Sequence, residues 1–483
     1  MSLHTEIHFE GEICEHLLQH DWHYHAEDAS GYNRELALYP DDVVAWLQET
    51  QPKAWKALTK NHGQAAEATL LQRLRHSLNQ TGTLQVLRQG FDVLGLRSVV
   101  KMAQFKPASA VNPDIIKRYN ANRLRVVRQV HYSTHNELNI DLVLFLNGIP
   151  VATAELKTDF TQSIDDAIDQ YRFDRIPNPK GQTAEPLLTF PSGALVHFAV
   201  SSGQVAMTTR LSGPKTRFLP FNLGDNGSSG NPVNPDGHKT AYLWERVWQR
   251  DSWLDILGRY LVAEKDDKKN IKAIVFPRYH QLDVTRALLS DVAARGAGKK
   301  YLIQHSAGSG KTMSIAWTAH FFGDLHDEDN QKIFDSVIVV SDRNVIDGQL
   351  QDALKDFERT KGVVATIKGG SSSKSAELAE ALSGDKKIVV CTIQTFPFAL
   401  ETVQKLAATE GKRFAVIADE AHSSQTGEAA AKLKQVLSAD ELKDLQDGGE
   451  VSNEDILTAQ MGSKAKDVGI TYVAFTATPK AKT

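Results

Sequence analysis

The sequence has few cysteines, no long apolar run and no surplus of either charge, and each absence excludes a class of protein. Its 483 residues include two cysteines, Cys14 and Cys391, far apart in the chain, which favours two thiols in a reducing compartment over a disulfide framework. No apolar segment approaches the ~20 residues that a membrane-spanning helix needs. The 55 Lys and Arg against 59 Asp and Glu give a formal charge of −4, so any polyanion site must be a local patch.

The N-terminus also lacks the basic-then-apolar order of a signal peptide. We therefore expect a soluble, cytoplasmic protein with no membrane partner. The length predicts two to three domains, and the hydrophilic segment 264–270 (EKDDKKN) is the predicted boundary. This gives a first domain at 1–263, ending in a linking helix, and a second at 264–483.

A Gly-rich loop in the second half has the context of a phosphate-binding loop. It follows an apolar strand at 301–303 and runs into a helical pattern that begins at Met313. Glycines allow the backbone N–H groups to turn inward, and the helix N-terminus adds positive potential for a triphosphate. The pattern G-x-x-x-x-G-K-[ST] departs in one place, where His305 holds the first glycine's position. The predicted ATP contacts are Gly308, Ser309, Gly310, Lys311 and Thr312, with Thr312 also a Mg²⁺ ligand. The alternative is a Gly-Ser turn that merely precedes Lys-Thr.

Apolar strands alternate with helices after residue 271, which predicts a parallel sheet covered on both faces. The strand 414–418 ends in Asp419 and Glu420, at the edge where open α/β sheets bind ligands. Asp419 is expected to hold Mg²⁺ and Glu420 to activate the attacking water.

A second acidic group lies in the first half. Strands are predicted at 124–132, 140–146 and 150–157, and Asn147-Gly148 is a strong two-residue hairpin signal. Asp141 and Glu155 on this hairpin are candidate Mg²⁺ ligands, and Lys157 is placed to position or deprotonate a water. The alternative is an edge strand carrying ordinary surface charges.

Strand register gives this hypothesis a test. In an ideal hairpin closed by Asn147 and Gly148, Asp141 lies opposite Ala154 and points to the face that Glu155 avoids. Both carboxylates can reach one metal ion only if a bulge or stronger twist intervenes. We therefore predict an irregularity between residues 141 and 155.

These residues, followed by a helix at 163–175 that carries Gln170, resemble the PD-(D/E)xK nuclease fold. The sequence NIDLVLFLNGIPVATAELK, together with segments 194–211 and 216–224, is similar to the restriction (R) subunit of type I restriction–modification enzymes. The resemblance implies that Asp141, Glu155 and Lys157 are the nuclease metal and catalytic set. The family's helix has Tyr four residues after Gln, whereas Asp174 holds that place here.

The second half resembles the first, RecA-like lobe of a superfamily 2 translocase. The resemblance implies that Gln281 recognises adenine and that Thr476-Ala-Thr478 relays the nucleotide state to DNA. The alternative for Gln281 is a capping or surface glutamine. The family has Arg more often where Ser423 stands. The sequence holds no second lobe, so we expect a fragment with little ATPase activity of its own, and the insert 426–468 is expected to form a helix and a loop.

The implied function is Mg²⁺-dependent endonuclease cleavage of double-stranded DNA coupled to ATP-driven translocation. The resemblance also implies modification and specificity subunits as partners, which would recognise the site. Two alternatives stay open: a nuclease–helicase fusion of the DNA-repair type, and a nucleotide-gated DNA-binding module without catalysis.

Overall fold

The computed structural model describes residues 2–107, 112–158, 162–306, 308–341, 350, 353–354, 363–367, 377, 380–382, 386–392, 396–419 and 469–476. Glu420, Ser423, Thr478 and the insert 426–468 lie outside these ranges. The chain divides into two compact units, Met1–Tyr279 and His280–Thr483. Within the described ranges, no helix combines the length and apolarity needed to cross a bilayer.

The first unit begins with helices. They are α1 (Ser2–Gln19), α2 (Pro40–Thr50), α3 (Pro52–His62), α4 (Ala66–Thr81), α5 (Thr83–Gln89) and α6 (Pro113–Asn120), with short 3₁₀ turns at Asp28–Gly31 and Gly63–Ala65. The buried face of α1 contains Phe9, Ile13 and Leu17, at the spacing of one helix face. Glu10 lies on this same buried face.

A mixed six-stranded sheet forms the core of this unit, in the order β1-β2-β3-β4-β5-β6. The strands are β1 (Leu124–His131), β2 (Asn139–Leu146), β3 (Ile149–Lys157), β4 (Val196–Ser201), β5 (Val205–Thr208) and β6 (Leu219–Pro220). Only β3 and β4 pair in parallel, so the chain crosses over between them. The crossover carries α7 (Ile164–Asp169), which continues as a π-helix at Gln170–Asp174.

The Trp-rich segment lies within the first unit. It forms a π-helix at Leu243–Val247, α8 (Arg250–Asp255) and a second π-helix at Ile256–Tyr260. Trp244, Trp248 and Trp253 are all buried, and the ring of Trp248 lies 5.6 Å from that of Phe198 on β4. These indole rings therefore serve the core and are not available to stack on bases.

The hydrophilic segment 264–270 is a hairpin rather than an extended linker. Strands β7 (Val262–Lys265) and β8 (Ile271–Val275) pair antiparallel, and residues 266–270 connect them. The predicted boundary at residue 264 thus falls inside β7, within a pair of hydrogen-bonded strands, and it stays a prediction.

The second unit contains a parallel six-stranded sheet, in the order β11-β12-β10-β13-β14-β9. The strands are β9 (Lys300–Gln304), β10 (Ser336–Ser341), β11 (Val364–Thr366), β12 (Ile388–Thr392), β13 (Phe414–Asp419) and β14 (Ile470–Thr476), and the helices are α9 (Tyr279–Arg295), α10 (Lys311–Gly323) and α11 (Phe396–Glu410). Strands β10, β13 and β14 are buried along their whole length, as expected for a sheet covered on both faces. The predicted class, a mixed α/β sheet followed by a parallel α/β domain, is confirmed.

Candidate nuclease and nucleotide sites

The β2–β3 hairpin closes through the predicted Asn-Gly turn. Asn147 and Gly148 have φ values of +50° and +81°, the left-handed pair that this sequence favours. The amide of Asn147 is buried and donates to Met102 O at 2.9 Å and to Asn122 Oδ1 at 3.0 Å. These bonds fix the turn from outside the hairpin.

The predicted irregularity is present and changes which residues face each other. Phe145 pairs with Pro150, but Leu144 pairs with Ala152, so Val151 is an extra residue on β3. Leu142 then pairs with Ala154, and Asp141 comes to lie opposite Glu155. Residues directly opposite in an antiparallel pair share a face, so the bulge brings the two carboxylates to one side of the sheet.

Each carboxylate is held by different partners. Asp141 Oδ2 accepts from the backbone N–H of Leu156 at 2.7 Å. Glu155 is fully buried, and its Oε1 accepts from Arg175 Nε at 2.6 Å. Burial, and then the nearby charge of Asp141, raise the pKa of Glu155 well above its usual range, and Arg175 opposes them. A cation bound beside Glu155 would favour the charged form of its carboxyl group.

Lys157 ends β3 two residues after Glu155 and is almost completely buried. Its Nζ lies 3.8 Å from Glu6 Oε1 on α1. Its positive charge lowers the pKa of Glu155, so the ammonium group acts on the same acidic site.

Three further residues belong to this site although the sequence did not single them out. The first is Gln129 on β1, whose φ of +48° is a left-handed backbone conformation that is rare within a strand. Its Nε2 donates to Glu10 Oε1 at 2.5 Å and to Asp141 Oδ1 at 3.4 Å, which makes Glu10 the second residue. Arg175 is paired with Glu155 as above. The helical spacing of α1 could have identified Glu10, because it lies three residues before Ile13 on the apolar face. No local sequence signal marks Gln129 or Arg175.

The oxygen-bearing side chains at this site suit a hard divalent cation. Their placement does not yet form a set of ligands around one point. Among the described residues, no group of three or more His, Cys, Asp or Glu is placed to hold a metal ion. In the described part of the chain, the buried side-chain oxygens that lack a hydrogen-bond partner include Glu155 Oε2, Thr158 Oγ1 just after β3, and Gln170 Oε1 on the crossover that follows. Buried oxygens without partners are costly, and carboxylate and amide oxygens are the ligands that Mg²⁺ takes.

In the second unit the loop after β9 has the predicted backbone. Gly308 and Gly310 have φ values of +74° and +86°, and α10 begins at Lys311. Lys311 Nζ lies 3.1 Å from Asp419 Oδ1 at the end of β13. The two motifs, more than a hundred residues apart in the chain, are thus brought together.

Gln281 lies in the first turn of α9 and is buried. Its Nε2 donates to Gly310 O at 2.9 Å, so the side chain contacts the backbone of the Gly-rich loop itself. The exposed fraction of Asp419 is 7%. Gln281 and Asp419 therefore flank the loop from two separate elements.

Both units match known families. Residues 10–216 match the family model of the type I restriction enzyme R protein N terminus, and residues 280–442 match that of the SWI2/SNF2 ATPase. The first half of the chain is therefore similar to the N terminus of a type I restriction R protein, and the second half to an ATPase domain of the SWI2/SNF2 type.

Individual relatives agree with these similarities. The chain is 29% identical over 294 residues to the type I restriction enzyme HindI endonuclease subunit of Haemophilus influenzae, a match that covers 59% of this chain and 26% of that protein. It is 22% identical to the putative MjaVIIIP endonuclease subunit of Methanocaldococcus jannaschii over 66% of this chain and 31% of that protein. The matches span only about a quarter to a third of these relatives. The resemblance to the R subunit of type I restriction enzymes is confirmed.

Proposed function

We propose that this chain is part of a restriction subunit that cuts double-stranded DNA in a Mg²⁺-dependent reaction, coupled to ATP-driven translocation. The observation that supports this best is the bulge at Val151, which sets Asp141 opposite Glu155. An ordinary surface hairpin has no reason to place a fully buried carboxylate, Glu155, opposite a second, half-buried one, Asp141.

In the nuclease unit, Asp141 and Glu155 would hold Mg²⁺. The ion would polarise a phosphodiester and make a bound water more acidic. Lys157 would orient the attacking water or take its proton. Gln129 aligns Asp141, and Arg175 balances the buried charge of Glu155.

In the ATPase unit, the Gly-rich loop would cradle the phosphates of ATP. Lys311 would contact the β- and γ-phosphates, while Thr312 and Asp419 would hold Mg²⁺. Glu420 would activate the attacking water and Gln281 would recognise adenine. The Lys311–Asp419 contact supports this assignment, because it joins the two motifs.

The proposed partners are double-stranded DNA and the modification and specificity subunits of the complex, and the proposed compartment is the cytoplasm. Recognition of the DNA sequence is assigned to the specificity subunit. This chain would then act on DNA backbone and shape.

A pair of variants in the assembled complex tests both sites. Glu155→Ala should abolish cleavage while ATP hydrolysis and translocation continue. Lys311→Ala should abolish hydrolysis and translocation while the protein still folds. Exposed residues of the same types, Glu35→Ala and Lys405→Ala, are the matched controls. Cleavage by the Glu155→Ala complex at the wild-type rate would refute the nuclease site.

A further inference from the structure

His305 occupies the position at which the phosphate-loop pattern has glycine, and it is buried, with 5% of its surface exposed. Its Nδ1 lies 2.5 Å from Ser309 Oγ in the loop. Its Nε2 lies 3.2 Å from Ser314 Oγ in the first turn of α10. The imidazole therefore bridges the loop and the helix that follows it.

The direction of each hydrogen bond can be deduced. Ser309 Oγ donates its single hydrogen to Ser306 O at 2.6 Å, so it must accept from His305 Nδ1–H. In a neutral ring Nε2 then carries the lone pair and accepts from Ser314 Oγ–H. Burial, followed by the charges of His280 and Lys311, lowers the pKa of His305 to about 4, so the ring is neutral near pH 7.

A second histidine holds the same stretch of backbone. His280 Nε2 lies 3.0 Å from Ser309 O, a carbonyl that can only accept. Ser309 is thus fixed through its hydroxyl by His305 and through its carbonyl by His280. Lys311, two residues later, extends toward Asp419 from a loop that these two histidines hold at Ser309.

We infer that His305 is a positioning residue of the nucleotide site, which holds the phosphate loop in its binding shape through the Nδ1–H bond to Ser309. This inference rests on the proposed ATP site. The backbone of His305 lies outside the left-handed region, so the fold does not require glycine there. His305→Gly would restore the full G-x-x-x-x-G-K-[ST] pattern but would remove the hydrogen bond from Nδ1–H to Ser309.

The test is the affinity of the 483-residue chain for Mg-ADP, measured by calorimetric titration. His305→Asn keeps an N–H donor where Nδ1 lies, whereas His305→Gln moves its amide toward the Nε2 position and His305→Gly removes both. His326→Asn, a surface histidine of the same unit, is the matched control, and thermal unfolding verifies that each variant folds.

We expect the Gly and Gln variants to bind Mg-ADP about tenfold more weakly, because a buried bond is lost and Ser309 is released. The Asn variant and the His326 control should stay within about threefold of the wild type. Wild-type affinity in the Gly variant would overturn the inference. So would an Asn variant as weak as the Gly variant, since ring packing would then account for the loss.

Lys311→Ala separates the inference from the function on which it rests. If that variant loses Mg-ADP while His305→Gly keeps it, only the role of His305 falls. If Lys311→Ala binds as the wild type does, or the wild type binds no Mg-ADP, the ATP site itself is refuted.

Discussion

At the scale of single residues, the proposed nuclease site joins groups whose charges oppose one another. Burial, and then the charge of Asp141, raise the pKa of Glu10 from 4.5 to about 7. Arg128 lies 3.0 Å from Glu10 and offsets only part of this effect. Glu10 therefore titrates near neutrality, in contrast to an ordinary surface glutamate.

This pKa predicts a pH-dependent stability. Because the folded-state pKa lies above that of the unfolded chain, the contribution of Glu10 is complete below about pH 4.5 and is lost as the pH rises through about 7. Glu10→Gln removes the titration, so its free energy of unfolding should fall less between these limits than that of the wild type. Urea titrations across this range measure the difference. Glu15→Gln, exposed on the same helix, is the control, and parallel curves for wild type and Glu10→Gln would contradict the prediction.

The hairpin turn gives a second prediction at this scale. Asn147→Ala loses the buried amide bonds to Met102 and Asn122 and puts alanine at φ +50°. The free energy of unfolding should fall by about 3 kcal/mol.

Asn226 provides the comparison, because it has φ +47° but is exposed. Asn226→Ala should cost only about 1 kcal/mol in a urea titration, mostly from the backbone, because the side-chain bond that it loses, to Asp225 Oδ1 at 3.1 Å, is exposed to solvent. Equal losses at the two positions would mean that the buried amide contributes nothing.

At the scale of elements, the short helix α7 leads into the π-helix that precedes Arg175. Its start is fixed by a capping box: the side chain of Ser163 accepts from the backbone of Asp165, and that of Asp166 accepts from Ser163 N at 2.6 Å. A six-residue helix has little stability of its own, so this cap is a large part of what holds it.

Ser163→Ala should therefore loosen α7 and the following turn by about 1 kcal/mol. Amide hydrogen exchange should be faster over residues 164–175 and unchanged on β4. Ser163→Asp retains a good cap and is the control. Identical exchange in the Ala and Asp variants would show that packing alone holds this helix.

Much of the element pattern could be predicted from the sequence, because strand alternation, helical spacing and the Asn-Gly turn are local signals. The need for a bulge or a stronger twist could also be deduced, since the ideal register puts Asp141 and Glu155 on opposite faces, and the structure has the bulge. The pairing of Glu155 with Arg175 could not, because it depends on a crossover between β3 and β4. Nor could the hairpin at 264–270, because its charged residues have the composition of a linker and its pairing strands are short.

At the scale of the whole molecule, the predicted end of the first domain at residue 263 can be tested. A piece ending there keeps part of β7 and loses β8 and Phe276. The ring of Phe276, 4% exposed, lies 5.9 Å from Phe198 and 5.9 Å from Phe221. We expect the piece 1–279 to unfold cooperatively, and the piece 1–263 to be less stable by about 3 kcal/mol because that core aromatic is lost.

Chemical denaturation of the two pieces measures this difference. Phe276→Leu in the longer piece is the control for the ring alone, and it should lie between them. Equal midpoints for 1–263 and 1–279 would support the boundary at residue 264.

The tip of the β2–β3 hairpin is anchored far from its own sequence. Tyr39 N donates to Gly148 O at 2.9 Å, and a Cβ on Gly148 would lie 2.5 Å from Tyr39 O. The β2–β3 hairpin that carries Asp141 and Glu155 therefore depends on contacts with residues outside its own sequence. Grafted elsewhere without the segment around Tyr39, the hairpin would lose the contacts that hold its turn, so shortening that segment should disturb the proposed nuclease site although it lies far away in the sequence.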